Sequence, residues 1–323
     1  MAKPRVLVTR RWPQAVEAKM AQVFDLTLNR ADKPLSVTEL KEALGQYDAV
    51  LPTVTDRLPA AVFDRAGSRT RILANYGVGF AHIDTEAAKA SAITVTNTPD
   101  VLSECTADIA MTLMLMVARR ASEGERELRE GRWSGWRPTH LIGTKVSGAT
   151  LGIIGFGRIG QAMAQRAHFG FGMKILVQNR SPVPAEILAR YNAVQVPTIE
   201  ELLPQCDFVS LHCPGGAANR HLINSRRLDL MRPGAFLINT ARGEVVDEHA
   251  LAQALWFGTI GGAGLDVFER EPQIPDELLG SDNLVLLPHL GSATRETREA
   301  MGFRVLDNLT DFFEGRQPRD RVA

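Results

Sequence analysis

Gly155-Phe156-Gly157-Arg158-Ile159-Gly160 decides the reading of this chain because of what stands on either side of it. The apolar-rich run Ala149 to Ile154 leads straight into the first glycine and reads as a buried strand, while Gln161 to His168 is rich in helix formers. The glycines therefore stand at a strand-to-helix turn. There Gly155 permits the tight turn, Gly157 lets a pyrophosphate approach the backbone, and Gly160 lets helix and strand pack closely. An anion at that point meets the N–H groups and the positive end of the helix start. The whole turn, with Phe156, Arg158 and Ile159 between the glycines, is expected to bind a dinucleotide.

Working outward, short apolar strands alternate with helical stretches, the pattern of parallel α/β sheets. Arg5 to Thr9, Ala49 to Leu51, Ile72 to Ala74 and Ile93 to Thr96 read as strands of a first unit, with helices near Gln14 to Val23, Val37 to Leu44, Ala60 to Ala66 and Thr85 to Ala90. A second unit runs through Leu151 to Ile154, Lys174 to Val177, Phe208 to His212, Ala235 to Asn239, Gly262 to Val267 and Leu284 to Leu287. Asn97-Thr98-Pro99 is a proline-limited extended segment between them and suits a hinge. One long helix is expected from about Ser103 to Arg129. Within it Met111 to Met116 is apolar nearly all round, which suits burial between the domains or a dimer interface. The amphipathic stretch Thr294 to Glu314 is expected to return to the first unit. The predicted architecture is two doubly wound parallel-sheet domains, Rossmann-like and flavodoxin-like. Residues 1–98 with 290–323 form the substrate domain, residues 99–289 the dinucleotide domain, and the active site lies in the cleft between them.

Composition narrows the partners. At 323 residues the chain exceeds the roughly 100–200 typical of one domain, and 45% hydrophobic content is ample for two cores. Lys plus Arg and Asp plus Glu both number 37, so no global basic field argues for nucleic acid or an acidic membrane surface. Cys105, Cys206 and Cys213 are odd in number and lack metal-type pairing, so reduced thiols and no metal are expected. The apolar stretch Val6-Leu7-Val8 is too short for a signal peptide, and Met111 to Ala118 is too short to span a bilayer. A cytoplasmic enzyme acting on a small molecule is the expectation.

In an open parallel sheet, ligands collect beyond the carboxyl ends of the strands. Gly155, Asn179, Cys213-Pro214, Thr240-Ala241-Arg242, Asp266 and Pro288-His289 all follow strands and would line one crevice. The other unit offers Asn75-Tyr76-Gly77-Val78-Gly79, whose glycines would expose backbone N–H groups to an anion. Reduction of a ketone needs a proton donor, because the oxygen gains charge as hydride reaches carbon. His289 can serve if Glu271 fixes its tautomer and favours its charged form. Arg242 can grip a carboxylate with its planar fork and polarise the neighbouring carbonyl.

With these motifs in place, the chain resembles the D-2-hydroxyacid dehydrogenases from Val6 to about Arg316. The resemblance rests on Asn75 to Gly79, Gly155 to Gly160, Asn239-Thr240-Ala241-Arg242-Gly243, Gly264-Leu265-Asp266-Val267-Phe268 through Glu271-Pro272, and Pro288-His289. It implies His289 as acid/base, Glu271 as its partner, Arg242 as substrate clamp and the Val78 and Gly79 N–H groups as a carboxylate nest. It also implies cofactor contacts from Thr106 and Asp266, and a homodimer. Gly131-Arg132-Trp133-Ser134-Gly135-Trp136-Arg137-Pro138 resembles the segment of the glyoxylate and hydroxypyruvate reductase branch whose second Trp, here Trp136, reaches a neighbouring subunit's active site.

An NAD site usually places Asp or Glu about 20 residues past the fingerprint, on the ribose 2′-OH. Here the corresponding strand ends in Gln178-Asn179-Arg180-Ser181, with no carboxylate to repel a 2′-phosphate and with a guanidinium and a hydroxyl to hold one. NADPH is therefore the favoured cofactor, with NAD as the other. The expected reaction is reduction of glyoxylate or hydroxypyruvate to the (R)-2-hydroxy acid. NAD-linked D-3-phosphoglycerate oxidation is the first rival, though no basic cluster awaits a substrate phosphate. A nucleotide-sensing, corepressor-like binding protein is the second.

Overall fold

The computed structural model describes residues 2–64 and 67–323. Five strands, β1 (Arg5–Val8), β2 (Asp25–Leu28), β3 (Ala49–Leu51), β4 (Ile72–Ala74) and β5 (Thr94–Thr96), form one sheet in the order β2-β1-β3-β4-β5. Seven more, β6 (Thr150–Ile154), β7 (Lys174–Gln178), β8 (Ala193–Gln195), β9 (Phe208–Leu211), β10 (Phe236–Asn239), β11 (Gly262–Leu265) and β12 (Leu284–Leu286), form a second in the order β12-β11-β10-β9-β6-β7-β8. All pairings between these strands are parallel. The first order is flavodoxin-like and the second is that of the Rossmann fold. The chain is thus an α/β protein with two doubly wound sheets. The strands β3, β4, β9, β10 and β11 are buried along their whole length, as strands covered on both faces are.

The chain divides into two compact units, Met1–Leu102 with Ala293–Ala323, and Ser103–Ser292. In the first, the helix Arg295–Phe313 packs on β4 and on the helix Gln14–Val23. A Cβ at Gly302 would come within 2.6 Å of Val16 Cγ1, so this close crossing needs a glycine. Of the helix expected over Ala60 to Ala66, Ala60–Phe63 is helical, while Arg65 and Ala66 lie outside the described residues.

Three expectations about elements are corrected. β2 and β8 were not anticipated; both lie at sheet edges, where one flank is open and the apolar run is short. The long helix is two, Ser103–Ala118 and Ala121–Arg129. Arg120 between them is left-handed at φ 52°, and the Ala118 carbonyl accepts a hydrogen bond from Thr144 N–H at 2.7 Å. The apolar stretch in the first of these helices is buried within its own unit: Met111, Leu113, Met114 and Val117 pack with Leu151, Ile153, Phe236 and Ile238 of the seven-stranded sheet.

Candidate active site

In the Ser103–Ser292 unit the strand order reverses between β6 and β9, and the fingerprint follows β6 at that point. Gly155 has φ 92°, and a Cβ there would sit 2.6 Å from Cys213 N, on the chain leaving β9. A Cβ at Gly160 would sit 2.3 Å from Gly155 O. Gly157 is different: a Cβ there meets nothing within 4 Å. The turn is therefore tight where it packs and open where a ligand would approach. Gln161 N–H donates to Gly157 O as the helix Arg158–Gln165 begins, which directs the Ile159 and Gly160 N–H groups out of the helix start.

Beyond the ends of β11 and β12, Glu271 and His289 meet. His289 Nδ1 lies 2.8 Å from Glu271 Oε2, and Glu271 Oε1 accepts from Phe268 N–H at 3.0 Å. Burial pushes the Glu271 carboxyl upward, but the His289 hydrogen bond and charge, the Phe268 N–H and the Arg242 charge together bring it below its ordinary value. Glu271 is thus a carboxylate, and it accepts a hydrogen bond from Nδ1–H. No hydrogen bond among the described residues engages His289 Nε2, the other nitrogen.

The loop bearing His289 is held by Asp266, which is 1% exposed. Its Oδ1 accepts from Leu290 N–H at 2.6 Å and its Oδ2 from Gly291 N–H at 2.7 Å. His289 N–H donates to Asp266 O at 2.9 Å, and His289 itself is left-handed at φ 55°. Thr106 Oγ1 donates to Gly291 O at 3.1 Å. Asp266 and Thr106, expected as cofactor contacts, fasten the loop that carries His289.

Arg242 follows β10 in a turn shaped by a residue whose task the sequence did not reveal. Asn239 Oδ1 accepts from Ala241 N–H at 3.0 Å, and its Nδ2 donates to Arg242 O at 2.9 Å. A buried amide at a strand end, inside a motif already singled out, was the available signal. Gly243 passes so close to Phe268 that a Cβ would overlap Phe268 C at 1.9 Å, which fastens the arginine turn to the segment that carries Glu271. Burial draws the Arg242 guanidinium below its ordinary value, while Glu271 and Glu244 hold it up.

In the other unit, the turn after β4 has its carbonyls tied down by amide side chains. Asn75 Nδ2 donates to Gly77 O at 2.9 Å and Gly79 O at 3.1 Å, and Asn97 Nδ2 donates to Val78 O at 2.9 Å. Thr98 N–H also donates to Gly77 O. Because C=O and N–H of a trans peptide point in opposite directions, the Val78 and Gly79 N–H groups face away from these donors. His82 Nε2, 3.0 Å from Asn75 Oδ1, completes the arrangement.

The profile of the D-isomer specific 2-hydroxyacid dehydrogenase NAD binding domain matches residues 111–291. Over 320 residues the chain is 44% identical to a glyoxylate reductase of Thermococcus onnurineus, covering 98% of this chain and 95% of that one. The chain belongs to this dehydrogenase family. A glyoxylate reductase of Pyrococcus furiosus is 43% identical, with 98% of this chain and 94% of that one covered. The solved structure of an NADPH-dependent glyoxylate/hydroxypyruvate reductase from Sinorhizobium meliloti, in complex with NADP and malonate, superposes with a TM-score of 0.88. It is 36% identical, with 100% of this chain and 97% of that chain covered.

As a D-2-hydroxyacid dehydrogenase the protein is an NAD(P)-dependent oxidoreductase, and its cofactor unit fits a dinucleotide. Beside the open approach at Gly157, Thr240 Oγ1 is buried with no hydrogen-bond partner among the described residues, a polar atom a ligand can satisfy. Cys213 is half-buried, and burial pushes its thiol up to about 11, so it is an unreactive wall rather than a nucleophile. Pro214 O accepts from Asn219 Nδ2. Asn179 is spoken for on both sides: its Oδ1 accepts from Phe156 N–H at 3.1 Å and its Nδ2 donates to Ser181 O at 2.9 Å. Arg180 and Ser181 are exposed beside it. Trp136 is 82% exposed. Among the described residues no helix is long and apolar enough to cross a membrane, and no group of His, Cys, Asp and Glu that could hold a metal ion is found.

Proposed function

We propose that this enzyme uses NADPH to reduce a small 2-oxo acid, glyoxylate or hydroxypyruvate, to the (R)-2-hydroxy acid. The observation that carries this reading is the His289–Glu271 pair, which keeps one imidazole nitrogen on a carboxylate and leaves the other to serve a substrate oxygen. Bound NADPH supplies the hydride. Arg242 holds the substrate acid and polarises its carbonyl, the Val78 and Gly79 N–H groups take up the carboxylate, and His289 Nε2–H protonates the oxygen as charge develops on it. Glu271 keeps Nδ1 protonated throughout. Cofactor binding is assigned to the Ser103–Ser292 unit through Thr106, Gly155 to Gly160, Arg180, Ser181, Cys213, Pro214, Thr240, Ala241 and Asp266, with Asn179 shaping the turn. Carboxylate capture is assigned to the Val78 and Gly79 N–H groups of the other unit.

A homodimer belongs to the same reading. Trp133, Trp136 and Ile142 are exposed on one stretch of the isolated chain, and Trp136 is assigned to a neighbouring subunit's active site. A reducing cytoplasm suits the three free thiols.

The test is oxidation of NADPH and NADH with glyoxylate, hydroxypyruvate, pyruvate and 3-phosphohydroxypyruvate as acceptors. Turnover of the first two, faster with NADPH, is expected. Turnover of only the phosphorylated acid would indicate the phosphoglycerate activity. Stoichiometric cofactor binding without turnover would indicate a sensing protein.

A further inference from the structure

The turn after β7 closes around one side chain from the neighbouring edge strand. Gln195, the last residue of β8, is paired in register with Val177 and so stands beside the end of β7. Its Oε1 accepts from Val183 N–H at 2.8 Å, and its Nε2 lies 3.4 Å from Asn179 O and 3.3 Å from Ser181 O as a donor to both. Asn179 Nδ2 donates to the same Ser181 oxygen. Two carbonyls of the turn are thus drawn to Gln195. The peptide joining Asn179 to Arg180 then points its N–H the opposite way. The peptide after Ser181 leads into Pro182 and has no N–H of its own.

We propose that Gln195 is the positioning residue for cofactor selectivity. By holding the Asn179 and Ser181 carbonyls inward, it presents the Arg180 N–H, the Arg180 guanidinium and the Ser181 hydroxyl as a preformed cradle for a ribose 2′-phosphate. A cradle organised before binding spares the ligand the cost of ordering the loop. The oxygens that would repel a phosphate are the ones Gln195 turns away. This inference rests on the assignment of NADPH as cofactor.

The experiment is a double-mutant cycle. Gln195→Leu and Gln195→Met keep a side chain of similar length without its amide, and each is made alone and with Arg180→Ala. Dissociation constants for NADPH and NADH are measured by cofactor fluorescence. With Arg180 present, the selectivity ratio Kd(NADH)/Kd(NADPH) is expected to fall about three- to tenfold, the range for hydrogen bonds of ordinary strength. In the Arg180→Ala background the same substitution should change the ratio by less than about twofold. Equal weakening of both cofactors by either Gln195 variant would show a merely structural role and overturn the proposal, as would an undiminished effect without Arg180. If Arg180→Ala leaves the ratio unchanged, the NADPH assignment itself fails and the proposal with it. A selective Arg180→Ala with inert Gln195 variants overturns the proposal alone.

Discussion

At the residue scale, the proton's route depends on which imidazole nitrogen faces the reacting oxygen. Glu271 accepts a hydrogen bond from Nδ1–H, so in the proposed reaction Nε2 carries the proton delivered during reduction. His289→Ala should lower kcat by the order of 10²–10⁴ typical of acid–base catalysis, with NADPH affinity little changed; near-normal kcat would mean that another group supplies the proton. Glu271→Gln removes the negative charge that favours imidazolium. The basic limb of the kcat/KM profile for reduction should therefore move to lower pH, and an unmoved limb would contradict the pairing's proposed role. Cofactor choice is the other residue-scale matter. Arg180→Ala should weaken NADPH binding roughly tenfold, in line with the loss of a charge-assisted hydrogen bond, and titration against NADH checks that the loss is selective. The cation at position 180 was legible in the sequence because it stands where a carboxylate would mark NAD. What Asn179 does was not, since an amide can bind a ligand or brace a turn, and only the fold shows both ends of it occupied within the chain.

At the scale of elements, the interior strands and the edges β5 and β12 were legible, and the edges β2 and β8 were not. β3 and β4 are short continuous apolar runs, and β9 and β10 are apolar but for the buried Ser210 and Asn239, as burial on both faces favours. β2, Asp-Leu-Thr-Leu, and β8, Ala-Val-Gln, are only partly buried and lie at sheet edges, so their composition does not separate them from loops. The break at Arg120 was equally hidden. It reflects a left-handed residue and a carbonyl taken by Thr144, a partner 26 residues from Ala118 by subtraction of their numbers. The loop that carries His289 shows why motif reading reached this residue but not its support. Pro288-His289 is visible as a strand end, whereas the grip of Asp266 on two later N–H groups needs coordinates. Asp266→Asn sets an amide in place of a double acceptor, so one of the two N–H groups loses a good partner. Unfolding in urea should show a loss of about 1–3 kcal/mol, the cost of an unsatisfied buried donor, together with a lower kcat. Unchanged stability and kcat would mean that the loop holds itself.

For the whole molecule, the response to acid gathers the shifted groups into one measurable curve. Glu271, Asp32 and Asp48 titrate below their ordinary values; what they contribute is present above the unfolded-state pKa and is lost only as pH falls through the lower folded one. Asp266 and Glu248, raised mainly by burial, work the other way and favour the fold as pH falls. His212 acts earliest. It is half-buried next to Ser210, whose Oγ lies 2.9 Å from His212 Nε2, while the buried His212 Nδ1 has no partner among the described residues. Burial lowers it from 6.5 to about 4. Below pH 6.5 the unfolded chain binds a proton that the folded chain refuses, so stability falls with pH until the folded group also titrates. At about 1.4 kcal/mol per unit, this amounts to roughly 2 kcal/mol by pH 5. His212→Gln keeps a hydrogen-bonding group for Ser210 and cannot titrate, so taking the difference between the two proteins cancels the carboxylates, which both share. Urea unfolding at pH 7.5 and pH 5 should show the wild-type chain losing more stability than His212→Gln by about that amount. Parallel losses in the two proteins would mean that the imidazole takes up its proton inside the fold.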